Sequence, residues 1–262
     1  MILDRFKLTD RVAIVTGAGR GIGEGTALAF ADAGANVVCA ARTIDQIEDT
    51  AENVRKRGGL GLAVPCDVLE REQLENLVER TLEAFGRIDI LVNNAGGWPP
   101  KPALRTSEKE FEAAFRFNVT TAFVLTRLVV PRMVETAGSG SVVNISSVAG
   151  REVGPGFSAY GTSKAALSFL TRELAQDFAP KVRVNAIAVG SIETEALGTI
   201  LTDEIRQQMI DLTPLARLGQ VEDIAACALY LASPAASYVT GEIYGVNGGL
   251  TGLNFTMPRA DL

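Results

Sequence analysis

Short runs of consecutive apolar residues, many of them β-branched, recur along the chain at 12–16, 36–41, 60–64, 88–93, 141–146, 183–188 and 243–246. Several are apolar nearly throughout, the mark of strands buried on both faces of a parallel sheet rather than of strands with one wet face. Between them, 44–57 (IDQIEDTAENVRKR) and 71–85 (REQLENLVERTLEAF) set apolar residues three and four apart among charges, the period of an amphipathic helix. Asp67 stands where the cap region of the second helix begins. Strands alternating with helices predict βαβ units with right-handed crossovers and helices on both faces of the sheet. No linker, low-complexity tract or repeat interrupts the alternation across the 262 residues. The expectation is an α/β chain forming a single doubly wound domain over 1–262, with a parallel sheet of about seven strands.

Composition narrows the chemistry. The chain has no histidine, so a Ser-His-Asp or Cys-His hydrolase site cannot be built. Histidine-bearing zinc sites are excluded as well, and three scattered cysteines do not make a Cys₄ site; no metal site is expected. Acid–base work near neutral pH must use another side chain with a shifted pKa. A formal charge of −6 and a pI near 4.9 argue against a nucleic-acid partner. The N-terminal MILDRFKLTD is charged within its first residues and lacks an apolar signal region. The most apolar stretch, 117–134, is broken by Asn118, Arg127, Pro131 and Arg132, so no membrane span is expected. Cys39, Cys66 and Cys227 read as reduced, buried thiols of a cytoplasmic protein.

The chain has 26 glycines, against about 18 at typical usage, and part of that excess has a place. The strand at 12–16 runs into TGAGRGIG (16–23) and then a helical segment. Gly17, Gly21 and Gly23 would permit a tight turn, close backbone approach to a pyrophosphate and close helix packing. The following helix would offer free N–H groups to the anion. Three glycines at fixed spacing should arise by chance about 0.3 times in such a chain, so their position between first strand and first helix carries the argument.

Further motifs follow in order: Asn93-Asn94-Ala95-Gly96 after the fourth strand, Ser146-Ser147 after the fifth, and Tyr160-x₃-Lys164 in a helical segment. With Thr-Gly-x₃-Gly-x-Gly, these make the chain resemble the short-chain dehydrogenase/reductase family from about residue 7 to 250. The resemblance implies a Rossmann-type domain, a nicotinamide cofactor, and hydride exchange with a ketone or secondary alcohol. It assigns the catalytic positions to Asn118, Ser147, Tyr160 and Lys164. Tyr160 would be the proton donor and acceptor, its pKa lowered by Lys164 and by the oxidised nicotinamide. Ser147 would orient the substrate oxygen. Asn118 would hold a water linking Lys164 to solvent, and Ser146 would belong to the strand end.

For cofactor binding, the resemblance points to Gly17, Arg20, Gly21, Ile22, Gly23, Asp67, Val68, Asn94, Ala95, Gly96, Val189, Gly190, Ile192 and Thr194, with Tyr160 and Lys164 on the ribose. Ala41 stands where NAD-type members carry Asp, and Arg42-Thr43 follows. An Arg there suits a 2′-phosphate, favouring NADP(H) with NAD(H) the alternative. Two departures stand out: Val189-Gly190 where the family has Pro-Gly, which would loosen the loop, and Asn247 where Asp is common.

The substrate is less constrained. Trp98, Val148, Val153, Phe157 and the amphipathic 195–212 stretch (Leu197, Ile200, Leu201, Ile205, Met209) are the expected pocket wall, within a substrate loop at 190–215. They suit a lipophilic ketone or alcohol, steroid-like or acyl-like. The alternatives are a 3-oxoacyl thioester reductase and, from a different class, a non-catalytic dinucleotide-sensing protein. The resemblance also implies a homodimer pairing the helices around 107–135 and 157–178, or a homotetramer formed through the last strand and adjoining helix, with the tail at 251–262 extending that second contact.

Overall fold

The computed structural model describes residues 1–194 and 202–259. Seven parallel strands form one sheet in the order β3-β2-β1-β4-β5-β6-β7, the doubly wound Rossmann arrangement. They are β1 (Val12–Thr16), β2 (Asn36–Ala41), β3 (Gly61–Pro65), β4 (Ile90–Asn93), β5 (Gly140–Ser147), β6 (Val182–Val189) and β7 (Ile243–Val246). The predicted strands coincide with these to within two residues. Around them lie α1 (Gly21–Asp32), α2 (Ile44–Lys56), α3 (Arg71–Phe85), α4 (Glu108–Phe115), α5 (Thr121–Ala137), α6 (Ser158–Phe178), α7 (Asp203–Asp211) and α8 (Val221–Ala232).

The all-apolar strands are explained by two cores. Alternate strand residues point to opposite faces. Ala13, Val15, Val37, Cys39, Ile90, Val92 and Val143 pack on one face with Phe30 of α1, Ile47 and Val54 of α2, and Leu231 of α8. Ile14, Val38, Leu91 and Val142 pack on the other with Leu74 and Leu77 of α3, Leu125 and Val129 of α5, and Leu174 of α6. The helical run 108–137 is long and apolar enough to cross a membrane, yet Leu125, Val129 and Met133 are buried against the sheet. Cys39 and Cys66 are fully buried, and all three cysteines are free thiols. Burial pushes Cys39 up to about 12 and Cys66 and Cys227 up to about 11, so none is a ready nucleophile.

The strand order places β1 and β4 side by side, so their C-terminal ends meet. There the Thr16 hydroxyl donates to Val92 O and accepts from the Asn94 and Ala95 N–H groups. One buried hydroxyl thus ties the glycine loop to the Asn94-Ala95-Gly96 turn. Buried amides continue the tie: Asn93 Nδ2 donates to Thr126 Oγ1 and Asn144 Oδ1, and Asn144 Nδ2 donates to Thr171 Oγ1.

Candidate active site

Two clefts, each of about 360 Å³, open along the C-terminal edge of the sheet. They share Ile22, Asn94, Gly96 and Thr194, so they form one continuous groove. The first is lined by Gly17, Gly19, Arg20, Gly21, Ala41, Arg42, Thr43, Asp67, Val68 and Ala95. The second holds Ser147, Tyr160, Lys164, Val189, Gly190 and Ile192. Among the predicted cofactor residues, Gly23 alone lines neither. It lies against the Gly17 carbonyl, where a Cβ would stand 2.1 Å away, so it serves the packing of α1 under the loop.

The first cleft fits a dinucleotide. Gly17 turns at φ +65°, and the loop then enters α1 with its backbone facing the opening. Asn94 Nδ2 donates to Thr16 O at 2.8 Å and Gly17 O at 3.2 Å, and Ala18 N donates to Ala40 O at 3.2 Å, so the start of the loop is fixed on its inner side. Arg20 and Arg42 are exposed at the rim, and neither guanidinium has a hydrogen-bond or ion-pair partner among the described residues. Asp67 accepts from Leu69 N at 3.0 Å, while the cap position of α3 belongs to Glu70, not to Asp67.

In the second cleft, α6 presents Tyr160 and Lys164 one turn apart, both toward the end of β5. Lys164 is 4% exposed, its Nζ donates to Ile145 O at 2.8 Å and it lies 5.8 Å from the Tyr160 ring centroid. Burial alone pulls its pKa down to about 8. The Ser147 hydroxyl beside the Tyr160 phenol pulls its pKa down, but burial outweighs it and the Tyr160 value lies above the ordinary one. The expected lowering by Lys164 is therefore not a property of the chain by itself, because removing the phenol from water disfavours the phenolate. Ser146 is spent structurally, on Lys164 O and Ser168 Oγ.

Asn118 does not sit in a regular helix. A single wide turn, Arg116–Thr120, separates α4 from α5. Asn118 Nδ2 donates to Ala114 O at 2.9 Å and Gly97 O at 3.2 Å, and its Oδ1 accepts from Gly97 N at 2.8 Å. Such turns often mark functional sites.

The two departures from the family pattern are absorbed locally. Val189 is buried and pairs with Ser147 and Val246 in the sheet, and Gly190 N donates to Val246 O at 3.0 Å. The loop is thus anchored at its start without a proline. Asn247 Nδ2 donates to Leu250 O at 3.0 Å, a bond an ionised Asp could not make.

The pocket wall differs in part from expectation. Val148, Phe157 and Met209 line the second cleft, whereas Trp98 and Ile205 do not. Val153 is 93% exposed, because its loop turns outward before α6. Leu197, Ile200 and Leu201 lie outside the described residues. The tail turns back over the site: Leu253, Asn254 and Phe255 join Pro100 and Ser191 in lining it. Sequence reasoning missed these residues and had given the tail to a subunit contact. Nothing periodic in 251–257 signals this course.

Residues 17–251 match the family model described as enoyl-(acyl carrier protein) reductase. The chain belongs to the short-chain dehydrogenases/reductases. An uncharacterized oxidoreductase of Mycobacterium tuberculosis is 51% identical over the full length of both chains. The 7α-hydroxysteroid dehydrogenase of Escherichia coli K12 is 42% identical, over 94% of this chain and 96% of the relative. A solved 7α-hydroxysteroid dehydrogenase complexed with NADH and 7-oxo glycochenodeoxycholic acid superposes with a TM-score of 0.92 at 42% identity, covering 97% of this chain and 98% of that one. This short-chain dehydrogenase/reductase is accordingly an oxidoreductase of CH–OH groups that uses NAD(P).

Proposed function

We propose that the protein exchanges hydride between NADP(H) and an apolar, ring-bearing ketone or secondary alcohol, with Tyr160 as the general acid and base. The observation that carries this reading is the meeting of the Ser147 hydroxyl, the Tyr160 phenol and the Lys164 ammonium in a chamber continuous with the glycine-loop cleft. When bound, the nicotinamide gives or takes the hydride at carbon. The chain's own residues handle the oxygen and its proton. Ser147 Oγ donates to the substrate oxygen and orients it, and the Tyr160 hydroxyl delivers the proton in reduction and removes it in oxidation. Lys164 Nζ, held by Ile145 O, places positive charge beside the phenol and so favours its deprotonated form. Oδ1 of Asn118 and Nζ of Lys164 lie 2.9 and 3.0 Å from the point where a Cβ on Gly96 would stand, so the two groups are near enough for a water to join them. That water would return the proton to solvent.

NADP(H) is favoured by Arg42 and Arg20 at the cleft rim and by Ala41 in place of an acid. A guanidinium pair suits the 2′-phosphate. The substrate class follows from the chamber wall: Phe157, Met209, Leu253 and Phe255 are apolar, and Lys164 is its one formally charged side chain among the described residues. A two-fold pairing of subunits is supported by Phe111, Phe115 and Phe169, exposed at 40%, 38% and 60% on α4 and α6. The free thiols suit a cytoplasmic setting.

The test is reduction of a ketone panel (cyclohexanone, 2-decalone, a 7-oxo bile acid, an acetoacetyl thioester) with NADPH and NADH. The reading expects 2-decalone or the bile acid to be reduced best, with NADPH. Best turnover of the acetoacetyl thioester would move the assignment to a 3-oxoacyl reductase. Cofactor binding without turnover of any ketone would point to a dinucleotide sensor.

A further inference from the structure

The segment after β7 crosses the mouth of the substrate chamber. Leu253 and Phe255 face the cavity, and between them Asn254 is 5% exposed. A buried primary amide is costly unless its groups are matched. Here they are matched by two different parts of the fold. Asn254 Oδ1 accepts from Ser191 Oγ at 2.7 Å, in the loop after β6 that runs on to Ile192 and Thr194. Its Nδ2 donates to Met209 O and to Thr213 Oγ1, both at 3.1 Å, at the C-terminal end of α7. The Thr213 hydroxyl in turn donates to Met209 O at 2.7 Å.

The neighbouring tail residues close the other side. Met257 N donates to Pro155 O at 3.3 Å, and Met257 covers Gly156 so closely that a Cβ there would stand 2.8 Å from its Cγ. Leu253 and Thr256 press on Gly154 in the same way. The tail therefore joins the 154–156 loop that precedes α6 to α7 and to the Ser191 loop.

We infer that Asn254 is a positioning residue that latches the C-terminal segment, so that Leu253 and Phe255 form a fixed wall of the substrate chamber and select for bulky apolar substrates. The inference rests on the reductase reading above. A small ketone needs only the oxygen contacts at Ser147 and Tyr160. A fused-ring ketone also needs the wall, and binding energy from that remote part of the substrate is what a fixed wall supplies. Loosening the latch should cost the large substrate and spare the small one. A purely structural role would lower both together.

The test compares wild type with Asn254→Ala and Phe255→Ala on 2-decalone and cyclohexanone, alongside amide hydrogen exchange without substrate. Asn254→Ala is expected to raise KM for 2-decalone about tenfold and to leave cyclohexanone kcat/KM within about twofold. Exchange at 203–213 should quicken in Asn254→Ala but not in Phe255→Ala, which should reproduce only the KM effect. Equal losses on both ketones, or unchanged exchange at 203–213, would overturn the inference. If wild type reduces no ketone of the full panel, the 7-oxo bile acid included, the reductase reading fails on its own, and the exchange result still decides the latch.

Discussion

Asn118 Oδ1 and Lys164 Nζ face each other across Gly96. A Cβ on that glycine would stand 2.9 Å from the oxygen and 3.0 Å from the nitrogen. The side chains reach this point from different elements, the wide turn at Arg116–Thr120 and helix α6, and the glycine leaves the space between them open.

Gly96→Ala should therefore fold and bind cofactor but turn over slowly. Gly96 has no positive φ, so alanine meets no backbone penalty there. The methyl pushes Lys164 Nζ or Asn118 aside by a few tenths of an ångström and fills the space between them, and misplacement of this size near reacting groups should cost about tenfold in rate. Steady-state kcat with an unchanged melting temperature is the expected pair of results.

Arg42→Ala is expected to raise KM for NADPH about tenfold or more and to leave KM for NADH within about twofold, because a charge-assisted bond to the 2′-phosphate is worth about 1.5–3 kcal/mol. Equal losses with both cofactors would show that Arg42 supports the loop rather than the phosphate.

Lys164 carries a stability prediction with a definite sign. Its pKa falls from 10.5 to about 8 on burial, so between those values the unfolded chain binds more protons than the folded one. Stability from this group therefore rises with pH through that window, and the whole penalty of the buried ammonium, about 3 kcal/mol, is present below pH 8. The bond to Ile145 O returns about 1 kcal/mol. Lys164→Met should raise the melting temperature at pH 7 by about 5 °C while abolishing turnover. The gain should vanish by about pH 10.5 in thermal scans.

The parts of this fold legible in the sequence are those with a local cause. Buried parallel strands are apolar on both sides, so Val12–Thr16 and Asn36–Ala41 stand out unaided. Their ends coincide with the glycine loop and with Ala41-Arg42, and Tyr160 and Lys164 are brought together by one helical turn. What was not legible depends on distant pairing. Asn254 finds its three partners 63, 45 and 41 residues away, and no spacing encodes them. Val153 looked like pocket wall because it is apolar and follows Ser147, yet a Gly-Pro-Gly loop carries it into solvent. The burial that raises the Tyr160 pKa in the chain without cofactor is likewise invisible in the sequence, because it comes from the packing of distant segments around the phenol.

The central claim is that the Tyr160 hydroxyl moves the proton while the rest of the site holds cofactor and substrate. Tyr160→Phe removes that hydroxyl and little else. Measured as NADPH-dependent reduction of 2-decalone, with NADPH affinity determined in parallel by fluorescence, the variant should lose about a thousandfold in kcat/KM and bind NADPH within a few-fold of wild type. Tyr160→Phe that reduces the ketone at the wild-type rate would contradict the account.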